Sequence, residues 1–141
     1  MKDYIKIGID KKLIDIIDDG KKILYTHQNK KYNYKDPEEQ VRASYYIELV
    51  ERYEYPPQRI NFEIPIPRRI QGDYADIVVF KDDEQKEPYI VVECKKDAIS
   101  DAEFLQAIEQ AFGNANNLNA HFISVVSGIT IKSFNLKDFK P

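Results

Sequence analysis

Two short apolar runs, each carrying charge at one end, constrain this chain more than any other feature. The first is Ala75-Asp76-Ile77-Val78-Val79-Phe80 and the second is Tyr89-Ile90-Val91-Val92-Glu93-Cys94-Lys95-Lys96. Between them lies a charged stretch from Lys81 to Pro88. The pattern predicts two strands, over 73–80 and 89–96, joined by a charged hairpin loop. Apolar strands of this kind lie in a core, where unpaired charges are costly. Asp76, Glu93 and Lys95 therefore need a common reason for their place, and a divalent metal supplies one.

Strand geometry sharpens this. Side chains alternate, so Glu93 and Lys95 share one face while Cys94 shares the other with Val92 and Ile90. If the two strands pair, Asp76 can sit beside Glu93. Two adjacent carboxylates repel each other and suit a hard cation such as magnesium, which takes oxygen ligands and keeps several waters. The Cys94 backbone carbonyl is a candidate third ligand. Lys95 would then orient an attacking water or stabilise developing negative charge. The competing reading makes Glu93 and Lys95 an exposed salt bridge and Asp76 an ordinary strand-start residue.

The surrounding elements follow from local signals. Asp36-Pro37-Glu38-Glu39 starts a helix: Asp36 caps, Pro37 suits the first position, and two acids favour the positive end of the dipole. The helix is predicted to run to about Tyr53, with Pro56-Pro57 ending it. Val41, Tyr45 and Leu49 mark its buried face. Glu38 lies at the same angular position and is predicted to face the sheet, whereas Glu39 points away by about 100°. The competing role is dipole compensation, which is favoured for Glu39, whereas Glu38 is read as a functional acid. Arg42 is expected to pair with Glu38 at i, i+4.

Ile60 to Ile66 alternates as a strand, and Pro65 places it at an edge or a bulge. A helix is predicted from Asp101 to Leu118, with Ala102, Leu105, Ala107, Ile108 and Ala111 apolar. Strands follow at Phe122–Val126 and at Ile131–Leu136. Asn114, Asn116, Asn117 and Asn119 read as a helix end and turn. Within residues 1–36, Leu13 to Ile17 reads as a short helix ended near Gly20, Ile23 to Tyr25 as a small strand, and Lys30 to Lys35 as a basic loop. The order gives an α/β fold around a mixed sheet, with the strand after the crossover helix parallel to an earlier one.

Bulk properties narrow the class. At 141 residues the chain makes one domain, and 43% hydrophobic against 32% charged residues is globular. A net charge of −3 gives no global sign of nucleic-acid affinity, so any such surface is a local patch such as Arg59, Arg68 and Arg69. Arg68, Arg69, Gln71 and Gly72 form either a loop near a DNA backbone or a solvated turn. A single cysteine, Cys94, excludes an internal disulfide and fits a reducing compartment. Cys94 reads as a small core residue, and His121 as a surface or packing residue. Tyr74, near Asp76, is a candidate substrate contact. No signal peptide and no membrane-length apolar run is visible, so a cytoplasmic domain is expected.

Taken together, Pro37-Glu38-Glu39-Gln40-Val41-Arg42, Tyr53-Glu54-Tyr55-Pro56, Ala75 to Phe80, Val91-Val92-Glu93-Cys94-Lys95 and Glu109-Gln110-Ala111-Phe112-Gly113-Asn114 resemble the PD-(D/E)xK nuclease superfamily. More narrowly they resemble the N-terminal nuclease domain of the type I restriction enzyme R (HsdR) subunit. The resemblance implies a restriction-endonuclease-like mixed β-sheet flanked by helices (αβββαβ core). It divides the chain into an N-terminal extension over 1–36, packed on the core, and a nuclease domain over 37–141. It implies Mg2+-dependent (Mn2+ substituting) cleavage of double-stranded DNA by a metal-activated water. Asp76, Glu93 and Cys94 would hold the metal, Lys95 would be the catalytic lysine, Glu38 the helix acid, and Gln110 the glutamine that follows the core motif. Two positions depart from the pattern. Asn114 stands where tyrosine is common, and Val126-Ser127-Gly128 stands where Thr-Asn-Gly is common. No ATP site is visible, so an ATPase motor region and the modification and specificity subunits are expected as partners in a type I complex. The alternatives are an inactive nuclease-fold module that docks DNA or protein, and another nuclease of the superfamily acting in repair or junction resolution.

Overall fold

The structure is a computed structural model that describes residues 2–67 and 73–138. Arg68, Arg69, Gln71 and Gly72, named above as a possible DNA-facing loop, lie outside the described residues. The chain begins with helix α1 (Tyr4–Asp10), capped by the Asp3 side chain, which accepts from the Lys6 amide. Strands β1 (Ile14–Ile17), β2 (Lys22–Tyr25) and β3 (Lys30–Asn33) then form a small antiparallel sheet in the order β1-β2-β3.

This region departs from the sequence expectation in two places. Leu13 to Ile17 is not a helix, because Ile14, Ile16 and Ile17 are β-branched and favour a strand. The turn after them confirms the hairpin: Asp18, Asp19 and Gly20 all have positive φ, of 54°, 53° and 81°. Asp and Gly tolerate that conformation, which suits a tight hairpin. Lys30 to Asn33 is a strand rather than a loop, paired residue for residue with β2.

Helix α2 (Pro37–Glu51) starts as expected, with the Asp36 side chain accepting from the Glu38 amide at 2.9 Å. Five strands follow in a second sheet: β4 (Ile60–Pro65), β5 (Tyr74–Phe80), β6 (Pro88–Lys95), β7 (Phe122–Ser127) and β8 (Thr130–Asn135), in that spatial order. β4 is an edge strand, which explains why Pro65 is tolerated. The pairs β4–β5, β5–β6 and β7–β8 are antiparallel, and β6–β7 is parallel. The parallel pair is joined by helix α3 (Asp101–Leu118), opened by a capping box between Ser100 and Glu103 and closed by Asn119 in the left-handed conformation. This is a mixed α/β fold, a five-stranded sheet flanked by helices.

Two cores form on opposite faces of the large sheet. The first joins Phe62, Ile77, Val79, Ile90, Val92 and Cys94 to Tyr45, Tyr46 and Leu49 of α2 and to Leu13, Ile14, Ile23 and Tyr25 of the N-terminal segment. Gly8 lets α1 approach α2 closely, since a Cβ there would stand 2.6 Å from Ile47 Cδ1. The second core packs α3 on Val78, Phe80, Val91, Ile123 and Val125. Of the apolar positions on α3, Ala107, Ile108 and Ala111 lie on the buried stripe, which Asn114 and Ala115 continue, whereas Ala102 and Leu105 are exposed, Leu105 at 57%.

Candidate metal centre

The β5–β6 ladder places the predicted pair together. Its register runs Val79↔Ile90, Val78↔Val91, Ile77↔Val92, so the next step along the antiparallel pair sets Asp76 against Glu93. There the regular ladder gives way to side-chain pairing, and the Cys94 amide donates to Asp76 Oδ2 at 2.8 Å. The two carboxyl groups lie within hydrogen-bonding reach of each other. Glu93 is only 2% exposed, and its other partner is Asn114, whose Nδ2 donates to Oε1 at 3.0 Å.

The electrostatics follow from this geometry. Burial pushes the Asp76 carboxyl above the usual range, partly offset by the Cys94 amide and by Arg42. Glu93 is pushed well above its usual value, first by burial and then by the neighbouring Asp76 charge. Ionising one of two buried carboxylates side by side raises the cost of ionising the other, and a cation placed between them would relieve both. The Cys94 thiol is fully buried and pushed up by desolvation, which keeps it protonated and unsuited to a nucleophilic role.

Lys95 ends β6, half-exposed, on the side of the carboxylate pair, and its charge lowers the proton affinity of both acids. No ion pair ties it down among the described residues. The loop that follows is anchored: the Ser127 hydroxyl donates to the Lys96 carbonyl at 2.6 Å, and Gly128, at φ 58°, packs where a Cβ would stand 2.2 Å from Asp97 Oδ1. β6 therefore delivers Lys95 from a braced end.

A cleft of about 110 Å³ opens beside Asp76, lined by Glu38, Glu39, Glu63, Tyr74 and Cys94 among others. Glu38 is half-buried on its wall, on the same side as Asp76. Tyr74, 42% exposed, stands at the same cleft. Gln110 is exposed on α3, one turn before Asn114. Among the described residues no three His, Cys, Asp or Glu side chains converge as a ready-made metal cluster. The side-chain donors at the centre are the two carboxylates, a set that suits magnesium, which is held by one or two carboxylates and retains water.

Several expectations are corrected here. Glu39 does not point away: it is 7% exposed and forms a pair with Arg42 at 2.6 Å. Arg42 pairs with Glu39 and with Glu63 rather than with Glu38. The cause is a second buried face on α2, covered by the N-terminal sheet, where Tyr25 packs edge-on against Tyr46 and donates to Glu39 Oε2 at 2.5 Å. Asn114 is not part of the turn but a buried partner of Glu93. Its place on the stripe of Ala107, Ala111 and Ala115 was the available signal, since a polar residue on an apolar stripe must meet a partner. Arg59, named as part of a basic patch, is paired with Asp83 at 2.8 Å. His121 is exposed, with Nε2 2.8 Å from Lys81 Nζ.

No described helix is long and apolar enough to cross a membrane. Comparison with curated proteins finds no match. A family model described as the type I restriction enzyme R protein N terminus matches residues 37–140.

Proposed function

The chain belongs to the type I restriction enzyme R protein N-terminal family, and on that premise we propose that it is a magnesium-dependent DNA endonuclease domain working within a type I restriction-modification system. The observation that carries this reading is the buried Asp76–Glu93 pair at the open end of the β5–β6 ladder, with Lys95 beside it and, among the described residues, no ion pair to either carboxylate. A docking module would gain nothing from that pair, which destabilises the fold that holds it.

In this reading Asp76, Glu93 and the Cys94 carbonyl hold Mg2+, with Mn2+ able to replace it. When bound, the ion would withdraw charge from a phosphate oxygen and acidify an attacking water. The chain's own residues do the rest. The Cys94 amide fixes one Asp76 oxygen and leaves the other free to ligate. The Asn114 amide orients Glu93 in the same way. Lys95, free of any competing carboxylate within ion-pair distance among the described residues, donates to phosphate oxygens where negative charge develops. Glu38, on the cleft wall, completes the acidic side through water. Double-stranded DNA is the substrate. An ATPase motor region and modification and specificity subunits are the partners that would bring it to this site.

Plasmid cleavage in Mg2+ tests the role of Lys95. Lys95→Ala is expected to lower the rate by at least about 100-fold, the scale on which a transition-state donor acts, with the melting temperature and cation binding nearly unchanged. Cleavage at the wild-type rate would remove Lys95 from the reaction.

A further inference from the structure

Arg42 is a charge buried to 5% exposure, and its guanidinium hydrogen-bonds Glu39, Glu63 and the Asp76 carbonyl. Its Nε donates to Glu39 Oε2 at 3.1 Å and its Nη2 to Glu39 Oε1 at 2.6 Å, a forked pair. Nη2 also reaches Glu63 Oε2 at 3.1 Å, and Nη1 donates to the Asp76 carbonyl at 3.3 Å. The guanidinium rests on the Tyr32 ring, 4.3 Å from its centroid.

The backbone is unusual at the same level. β4 and β5 pair as Phe62↔Ile77 and Ile64↔Ala75, so Glu63 lies opposite Asp76. Glu63 has φ 51°, a left-handed conformation that is strained for a residue with a side chain. Here both strands change face. Phe62 and Ile77 pack in the first core, whereas Ile64 and Ala75, two positions further along each strand, pack in the second. Regular alternation would keep residues two apart on one face. Arg42 binds both sides of this switch, the side chain of Glu63 and the carbonyl of Asp76.

We propose that Arg42 is the positioning residue for Asp76, and that the N-terminal sheet is its backing. Tyr32 of β3 supports the guanidinium from below, and Tyr25 of β2 holds Glu39 through its hydroxyl. Residues before position 37, outside the stretch matched by the family model, thereby shape the metal centre. The inference rests on the reading of Asp76 as a cation ligand, but its first readout does not need the cation. The Cys94 amide donates to Asp76 Oδ2, so its hydrogen exchange reports directly on where that carboxylate sits.

The test uses Arg42→Lys, which keeps the charge and loses the fork, and Tyr32→Leu, which removes the ring from a half-exposed position on an edge strand. Amide exchange at Cys94 is compared with exchange at Val91 and Val92 on the same strand, and Mn2+ is titrated calorimetrically into each folded protein. Exchange at Cys94 is expected to quicken about tenfold in both variants while Val91 and Val92 keep their protection. Mn2+ affinity is expected to fall about tenfold, the scale of an outer-shell loss. If Arg42→Lys fails to fold, Tyr32→Leu decides the matter alone. Unchanged exchange at Cys94, or an equal rise at all three amides, overturns the positioning role. Wild-type protein that does not bind Mn2+, with Cys94 still responding as expected, overturns the cation reading and leaves Arg42 as the residue that places Asp76.

Discussion

Two groups of acids meet at Asp76, Glu39 with Glu63 and Asp76 with Glu93, and they are built on opposite electrostatic plans. Glu39 and Glu63 share a buried guanidinium, an aromatic ring beneath it and a tyrosine hydroxyl. Asp76 and Glu93 accept from the neutral amides of Cys94 and Asn114, and among the described residues neither carboxylate forms an ion pair with the nearby Arg42 or Lys95. Burial raises the proton affinity of both members of the second pair. The first group spends its charges on one another and is a structural brace. The second is offset only in part, by the more distant charges of Arg42 and Lys95, and in the proposed function a cation would complete it. Neighbouring sites with similar residues can thus be told apart by asking where the neutralising charge comes from.

The contrast predicts stability effects of opposite sign. Arg42→Met should destabilise the fold by about 3 kcal/mol, because it strands two acids with no counter-charge. Urea unfolding measures this, and a loss below about 1 kcal/mol would mean the brace is not a brace. Glu93→Gln should do the reverse at neutral pH without divalent cation. It relieves the repulsion and keeps a hydrogen-bonding side chain, so a gain of about 1 kcal/mol, or about 3 °C in melting temperature, is expected.

The same pair sets a pH dependence. Because the folded-state proton affinities of Asp76 and Glu93 are raised, the native state binds more protons than the unfolded chain. The stability this contributes is fully present below the unfolded carboxyl range and is lost as pH rises through the raised folded values. Melting in a chelator should therefore show the wild-type protein losing stability from about pH 4.5 upward, the ordinary value for a glutamate. That slope should be reduced in Glu93→Gln. A wild-type profile that instead gains stability over this range would mean that other groups dominate and that the pair is not the strained element.

The sequence carried the large sheet and the central pair, because their signals are local. The apolar runs around Asp76 and Glu93 have strand period, the charged stretch between them reads as a hairpin, and antiparallel pairing then leaves little freedom in register. The Asp36-Pro37 start fixes its helix for a similarly local reason. What escaped the reading depended on contacts far apart in the chain. Glu39 points to solvent if α2 has a single buried face, whereas the N-terminal sheet buries a second. Of that sheet the pattern shows only the middle strand, Ile23 to Tyr25, although Asp18-Asp19-Gly20 between isoleucine-rich runs is a hairpin signal. Glu63 reveals itself only through a backbone conformation that sequence periodicity cannot express. Asn114 shows the intermediate case, visible as a polar residue on an apolar stripe but assignable to Glu93 only once α3 is docked on β6.

The most direct test of the account is calorimetric titration of Mn2+ into wild-type protein and into Asp76→Ala, each with and without a DNA duplex. The account predicts binding by the wild-type protein that is lost in Asp76→Ala, together with a higher melting temperature of the cation-free variant once one of the two crowded carboxylates is gone. Binding that survives in Asp76→Ala, or wild-type protein that takes up no Mn2+ even on the duplex, would contradict the assignment of the Asp76–Glu93 pair as the metal centre.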